Sequence, residues 1–264
     1  MRSERFGELS GLVDALRLER VRLTTVRSTW VIVGTALGLG VLVSAVIASL
    51  GSVERDPTLT SLVVTTGADI TPLPFAAAMM GVLGVLSVGH DYRYGLARAT
   101  LLVQPNRSAL VAARLAVLTA VSVAVVSAGF ALNLAVGMLL SRGAMALNSA
   151  VWGTFLGYLL LTVLWSWLGA AGTWLLRATV PTLTILLIVP LLVEPIIRML
   201  ALLNELSWLR PIADWLPFTA GRAMASAASE GPGGMSQVTA GAVFGGFVLA
   251  VLIPAWLTFR RWDA

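Results

Sequence analysis

The chain has 264 residues, of which 58% are hydrophobic and only 12% are charged, and its formal net charge is +5. Soluble domains carry about 25% charged residues, so this composition excludes a soluble protein and predicts an integral membrane protein. All 18 basic residues are arginine, cysteine is absent, and His90 is the single histidine. These absences exclude a P-loop, which needs a lysine, a zinc site built from His and Cys, and thiol or disulfide chemistry.

Residues 1–29 are predicted to form an amphipathic helix on the cytoplasmic face of the membrane. Leu9, Leu12, Val13 and Leu16 recur at the spacing of one helical face, and several arginines follow them. A helix of this kind lies in the membrane interface and orients the chain. Contact with a cytoplasmic partner is a second role that the pattern leaves open.

Residues 30–264 are predicted to form a six-span, all-α transmembrane domain. A helix needs about 20 apolar residues to cross the hydrocarbon core. Six stretches qualify, and they are Trp30–Leu50, Pro72–Val88, Ala109–Leu140, Ala150–Leu176, Val180–Leu203 and Val238–Phe259. Proline is tolerated at the start of the second stretch, and Pro190 and Pro195 interrupt the fifth.

The arginines predict the orientation of these spans. With the N-terminus inside, thirteen of the 18 arginines fall in inner segments and five in outer ones. The positive-inside rule therefore places both termini in the cytoplasm of a cell inner or plasma membrane. Because the arginines cluster at the ends of apolar runs, they favour contact with the lipid bilayer and indicate no nucleic-acid partner.

Residues 89–107, "GHDYRYGLARATLLVQPNR", form a charged cytoplasmic segment between spans two and three. The pattern predicts a short amphipathic helix that begins near Tyr92 and ends at Pro105. A two-residue turn would be enough to connect two antiparallel spans, so this segment is longer than a connection requires. Its guanidinium groups suit carboxylates on a partner, whereas the alternative is an ordinary solvated loop.

Residues 204–237, between spans five and six, are predicted to be extracellular. Their "NELSWLRPIADWLPF" (204–218) is apolar enough to fold back to the membrane as short helices. Glu194 and Arg198 are spaced i, i+4 on span five, which predicts an ion pair. That pair either pins the fold-back segment, which we prefer, or forms an outer gate.

Two smaller patterns concern helix packing. Asn133 is a polar residue at membrane depth and is predicted to bond a neighbouring helix. The small-residue patterns "GTALG" (34–38) and "GAVFG" (241–245) predict close helix contacts, inside the bundle in preference to a dimer seam.

The segment "HDYRYGLARATLLVQPNRSALVAAR" (90–114) resembles the signature loop of the type-2 ATP-binding-cassette exporter permeases. "LERVRLTTVRSTW" (18–30), "WLPFTAGRAM" (215–224) and "RRWD" (260–263) resemble further segments of the same family, in the same order. The resemblance covers nearly the whole chain and its six spans. Leu96, where the family more often has threonine, and His90 depart from the pattern.

The resemblance implies a permease that contains no cofactor of its own. ATP and Mg²⁺ would bind a separate nucleotide-binding ATPase subunit, and a second permease copy, identical or paralogous, would complete the pathway. The cytoplasmic segment would be the coupling helix, contacting the ATPase through Asp91, Tyr92, Arg93, Tyr94, Gly95 and Arg98. By the same analogy, the pathway would be lined by Phe75, Met79 and Val82 on span two and, opposite, by Thr184, Ile188 and Leu191 on span five.

The main alternative is an ion-gradient-driven secondary transporter. Such proteins carry ionisable groups near the midplane and paired broken helices in two repeats. This sequence contains one broken span and no carboxylate at a midplane position, so it favours the exporter permease. An intramembrane enzyme is disfavoured for two reasons. A metal-dependent type would need several His and acidic residues within the spans, and a serine–histidine dyad would have to use His90, which lies at the end of a span.

Overall fold

The structure is a computed structural model that describes residues 2–50, 57–68, 70–95, 106–140, 145, 147–226 and 234–261. Side chains are described from residue 13 in the first range and from residue 58 in the second. Within these ranges there is no β-strand, and six helices are long and apolar enough to cross a membrane. The predicted all-α class is therefore confirmed, and each of the six predicted spans corresponds to a helix of sufficient length and apolar composition.

The helices follow the predicted order, with small shifts at their ends. The six spans are α2 (Arg27–Leu50), α4 (Phe75–Arg93), α5 (Arg107–Leu140), α6 (Ser149–Leu176), α7 (Thr179–Leu200) and α10 (Gln237–Arg261). The other helices are α1 (Arg2–Thr25), α3 (Pro57–Thr65), α8 (Arg210–Asp214) and α9 (Pro217–Ala223), with a 3-10 turn at Asn204–Leu209. A five-residue π-turn, Val189–Val193, interrupts α7 at Pro190.

Helix α4 begins after Pro74 and continues to Arg93, beyond its predicted end at Val88. The prediction of a new helix starting near Tyr92 is therefore wrong for this part of the segment. Gly95 has a φ of 65°, the left-handed conformation that commonly ends a helix and that glycine adopts without strain. Arg98 and the remainder of the predicted coupling helix, residues 96–105, lie outside the described residues.

Helices α4 and α6 form the centre of the bundle. In each, 67% of the apolar window is buried, against 22–28% in the other four spans. A Cβ atom added to Gly84 would lie 2.1 Å from the carbonyl oxygen of Ser166. One added to Gly169 would lie 2.2 Å from that of Gly81. The absence of side chains at these positions lets the two backbones touch.

The glycine patterns named from the sequence do not mark this contact. A Cβ added to Gly34 or Gly38 would meet no described atom within 4 Å, so the prediction of close packing inside the bundle at 34–38 is wrong. Gly241 and Gly245 have only ordinary contacts, at 3.7 and 4.0 Å from side-chain atoms. The spacing of glycines shows that they share one face of a helix, but it does not show whether that face contacts a neighbouring helix.

Helix α1 packs against α5, and its Ala15, Glu19 and Leu23 side chains are buried. Val13, on the face predicted from apolar spacing, is 61% exposed. The face that contacts the bundle therefore includes a buried glutamate in place of an uninterrupted row of apolar residues. The predicted position of α1 in the membrane interface stays a prediction.

The segment after α7 forms short helices, as predicted, and α9 packs against α10. The predicted role of Asn133 is also confirmed, because its Nδ2 donates to the carbonyl oxygen of Val64 on α3 at 3.2 Å. The Ser44 hydroxyl on α2 donates to the backbone carbonyl oxygen of Asn133 at 3.4 Å. Asn133 thereby links α5 to two neighbouring helices.

Candidate functional site

Several helix ends meet at one end of the bundle, which we call the arginine-rich end. The last turns of α1 and α4 approach the first turns of α5 through ion pairs among Arg22, Asp91 and Arg114. At the same end, Arg107 on α5 donates to the carbonyl oxygen of Arg260, in the last turn of α10, at 3.0 Å. Segments predicted to lie on one side of the membrane therefore lie together at one end of the bundle.

A buried charge cluster joins α1, α4 and α5 at this end. The Arg114 guanidinium lies between two carboxylates, with Nη1 at 2.8 Å from Asp91 Oδ2 and Nη2 at 2.5 Å from Glu19 Oε1. Arg114 and Glu19 are almost inaccessible, and Asp91 is buried. One planar guanidinium can bridge two carboxylates because its nitrogens point in fixed, different directions.

Arg22 completes the cluster from α1. Its Nη2 lies 2.6 Å from Asp91 Oδ1, and its Nη1 lies 3.6 Å from Glu19 Oε1. Two carboxylates thus meet two guanidinium groups, and the formal charge of the cluster is zero. Neutrality matters because an unpaired charge at a buried site is strongly unfavourable.

Exposed residues follow the cluster directly. Arg93 and Tyr94 are exposed where α4 ends, and the Arg93 Cζ lies 5.7 Å from the centre of the Tyr94 ring. The ring of His90 lies 6.0 Å from that of Tyr94. A guanidinium and a phenol presented together suit a carboxylate and an apolar group on a partner surface.

The predicted coupling residues therefore divide by position. Asp91 faces inward, and its carboxylate is engaged within the chain, which differs from the partner contact that we predicted for it. Tyr92 is half-buried, whereas Arg93, Tyr94 and Gly95 are exposed. No described atom outside its own turn lies within 4 Å of the Cβ position of Gly95, so its observed role is to end the helix.

Sequence reasoning missed the cluster itself, namely Glu19, Arg22 and Arg114. One signal was present, because Arg114 lies inside the apolar run "ALVAARLAVL" (109–118). An arginine inside a span needs an acidic partner. The identity of that partner, 95 residues earlier in the chain, could not be read from local spacing.

The six predicted pathway residues fall into two groups in the single chain. Phe75, Met79 and Val82 on α4 are half-buried, and Thr184, Ile188 and Leu191 on α7 are exposed. None of these six described residues lines the apolar cavity of about 240 Å³ between α6, α7, α9 and α10. Their juxtaposition across a dimer stays a prediction.

Glu194 does not form the predicted ion pair with Arg198. Its Oε1 accepts a hydrogen bond from the Phe218 backbone N–H at 2.9 Å. Its Oε2 accepts from the backbone N–H and the hydroxyl of Thr219, at 2.7 and 2.9 Å. These donors lie in the first turn of α9, where a helix has no acceptors of its own. Glu194 thus pins the fold-back segment, but by capping α9.

Comparison with models of protein families gives no match, and no curated protein sequence matches the chain. Within the described part of the chain, no three His, Asp or Glu side chains lie close enough together to hold a metal ion. The site is therefore assigned from its geometry and from the motifs of the sequence.

Proposed function

We propose that this chain is the membrane-spanning permease subunit of an ATP-driven ABC exporter. Two permease copies enclose the substrate pathway, and nucleotide-binding subunits attach at the arginine-rich end, on the cytoplasmic side. The order of the motifs in 90–114 and the six apolar helices support this proposal. In this proposal both chain termini are cytoplasmic.

The observation that carries the proposal is the position of Asp91 between an exposed tip and a buried cluster. Arg93 and Tyr94 are accessible to a partner, while Asp91, two residues earlier on the same helix, is bound to Arg22 and Arg114. A force applied to the tip is therefore transmitted to α1 and α5 through charge-assisted hydrogen bonds, which hold their geometry well. A merely solvated loop would not need this rigid base.

ATP and Mg²⁺ are assigned to the partner subunit. The chain contains no lysine, so it has no P-loop of its own. Closure of the partner's nucleotide sites would shift the dimer between inward-open and outward-open states. ATP shifts that equilibrium only to the extent that the complex binds it better in one of the two states.

The first test is what co-purifies with the intact chain in mild detergent. We expect a P-loop ATPase whose hydrolysis rate depends on the permease. Arg93→Glu and Tyr94→Asp should each weaken ATPase binding by about tenfold or more, without lowering the Tm of the permease. Arg198→Glu is the matched charge reversal, because Arg198 lies in the last turn of α7, away from the arginine-rich end, and should leave binding unchanged.

A gradient-driven transporter is the alternative. Two features of α7 that the sequence did not reveal favour it, namely the π-turn and the burial of Glu194. Broken helices and buried ionisable groups are typical of such transporters. Uptake driven by an ion gradient, in liposomes that contain this chain alone, would establish that class.

Unchanged ATPase binding in both tip variants, Arg93→Glu and Tyr94→Asp, would overturn the proposed coupling role.

A further inference from the structure

A small chamber with three polar side chains in a mainly apolar lining lies between α2, α3, α4, α5 and α6. It has a volume of about 20 Å³, and its lining includes Gly40, Thr66, Asn133 and Tyr158. Thr66 and Asn133 are 3% exposed and Tyr158 is 5% exposed. The Tyr158 hydroxyl lies within hydrogen-bonding reach of the Thr66 side chain and of the Ala76 backbone.

The carbonyl groups at the end of α3 fix the orientation of the Asn133 amide. The neighbouring Leu62 and Thr65 oxygens already have donors. Gly67 N–H donates to the Leu62 oxygen at 2.8 Å, and the Thr66 hydroxyl donates to the Thr65 oxygen at 2.6 Å. The Val64 oxygen accepts from Asn133 Nδ2 at 3.2 Å. Because the Val64 oxygen needs a donor, the other amide atom, Oδ1, must point elsewhere.

Asn133 Oδ1 is buried, and no described residue donates a hydrogen bond to it. Leaving such an acceptor without a donor is costly inside a membrane bundle. A water molecule needs about 10–15 Å³ of accessible cavity volume and two to four polar partners. The chamber meets both conditions, since Thr66 and Tyr158 line it together with Asn133.

We propose that this chamber is a structural water-binding site, in which an ordered water donates to Asn133 Oδ1. The second bond of the water goes to the hydroxyl of Thr66 or Tyr158. The water thereby completes the polar junction that holds the buried helix α3 against α5 and α6. This proposal does not depend on the function proposed above.

Gly40→Ala tests the site because it puts a methyl group into the chamber. The new Cβ would lie 3.6 Å from Thr66 Cγ2 and 4.0 Å from Asn133 Nδ2, which are ordinary contacts. If the methyl displaces water, Oδ1 loses its donor, and the Tm of the full chain should fall by about 2–8 °C. Gly34→Ala, on the same helix, is the control, because its Cβ would meet no described atom within 4 Å. Its change in Tm measures the effect of replacing glycine by alanine on helix propensity alone.

Gly129→Ala is a second, independent change, since Gly129 also lines the chamber and its Cβ would meet only Leu37, at 3.6 Å. Both variants should melt below Gly34→Ala. A Tm equal to or above that of Gly34→Ala in both would mean that the methyl fills a dry void and would overturn the proposal. In a nanodisc structure that resolves ordered solvent, density should lie about 2.7–3.2 Å from Asn133 Oδ1, and its absence would overturn the site.

Discussion

Arg114 and Glu19 are separated by 95 residues, yet Arg114 Nη2 donates to Glu19 Oε1 at 2.5 Å in a buried ion pair. This pair attaches α1 to α5 at the arginine-rich end. Because Arg114 also holds Asp91, a single side chain links the N-terminal helix to the base of the exposed tip.

Arg114→Met should destabilise the fold by about 3–5 kcal/mol, because it leaves two buried carboxylates with only Arg22 to neutralise them. The loss is measurable as a lower Tm or as unfolding at lower SDS concentration. Methionine has a similar length, so packing changes little. A Tm within 1 °C of the wild-type value, on the order of 0.3 kcal/mol, would mean that the ion pairs contribute nothing to stability.

Adding Glu19→Gln to Arg114→Met should restore part of that stability. The double variant keeps the Arg22–Asp91 pair, whose atoms lie 2.6 Å apart, and it is again neutral. We therefore expect the double variant to be more stable than Arg114→Met alone. Additive losses would instead show that the two residues act independently.

Gly84→Ala should be strongly destabilising, because its Cβ would overlap the Ser166 carbonyl oxygen at 2.1 Å. Overpacking of this kind costs about 1–3 kcal/mol or more. Gly246→Ala on α10 is the matched control, since its Cβ would meet nothing within 4 Å. Thermal unfolding of both variants should separate them, and equal Tm values would contradict the close contact of α4 and α6.

Glu194→Ala should cost about 2 kcal/mol, because it removes the acceptor for the first turn of α9. Arg198→Ala should cost much less, since Arg198 is not the partner of Glu194. Proteolysis of the fold-back segment, before and after each change, provides the measurement. Equal effects of the two substitutions would instead support the ion pair that the i, i+4 spacing predicted.

The absence of cysteine allows the orientation to be tested directly. Tyr94→Cys and Trp208→Cys are well matched, because the native side chains are 63% and 64% exposed. A membrane-impermeant thiol reagent applied to intact cells should label the cysteine at 208 and not the one at 94. The reverse pattern would place the exposed tip outside and rule out its contact with a cytoplasmic ATPase.

The six spans could be predicted because their cause is local: each requires only enough consecutive apolar residues to cross a membrane. The short helices after α7 followed similarly from their own composition. The end of α4 was misplaced because residues 89–93 are held in the helix by contacts with distant segments. Arg22, for example, reaches Asp91 from α1, across 69 positions of sequence.

The site was only partly predictable for the same reason. Arg93 and Tyr94 were recognised because exposed, charged residues interrupt an apolar run. The pairing of Glu19 with Arg114 depends on how α1 turns against α5, which periodicity does not specify. At Glu194, i, i+4 spacing favoured Arg198, but the backbone N–H groups of α9 are nearer and have no helical acceptor.

The backbone contact between α4 and α6 determines which parts of the molecule are free to rearrange. Because no side chain separates Gly84 from the Ser166 carbonyl group, a shift of either helix along the other would bring their backbone atoms into steric overlap. We expect the two to travel as a single unit, so spin labels on them should keep a constant separation through any working cycle. Displacements should concentrate instead in the peripheral spans, above all in α7, where the π-turn already departs from regular geometry.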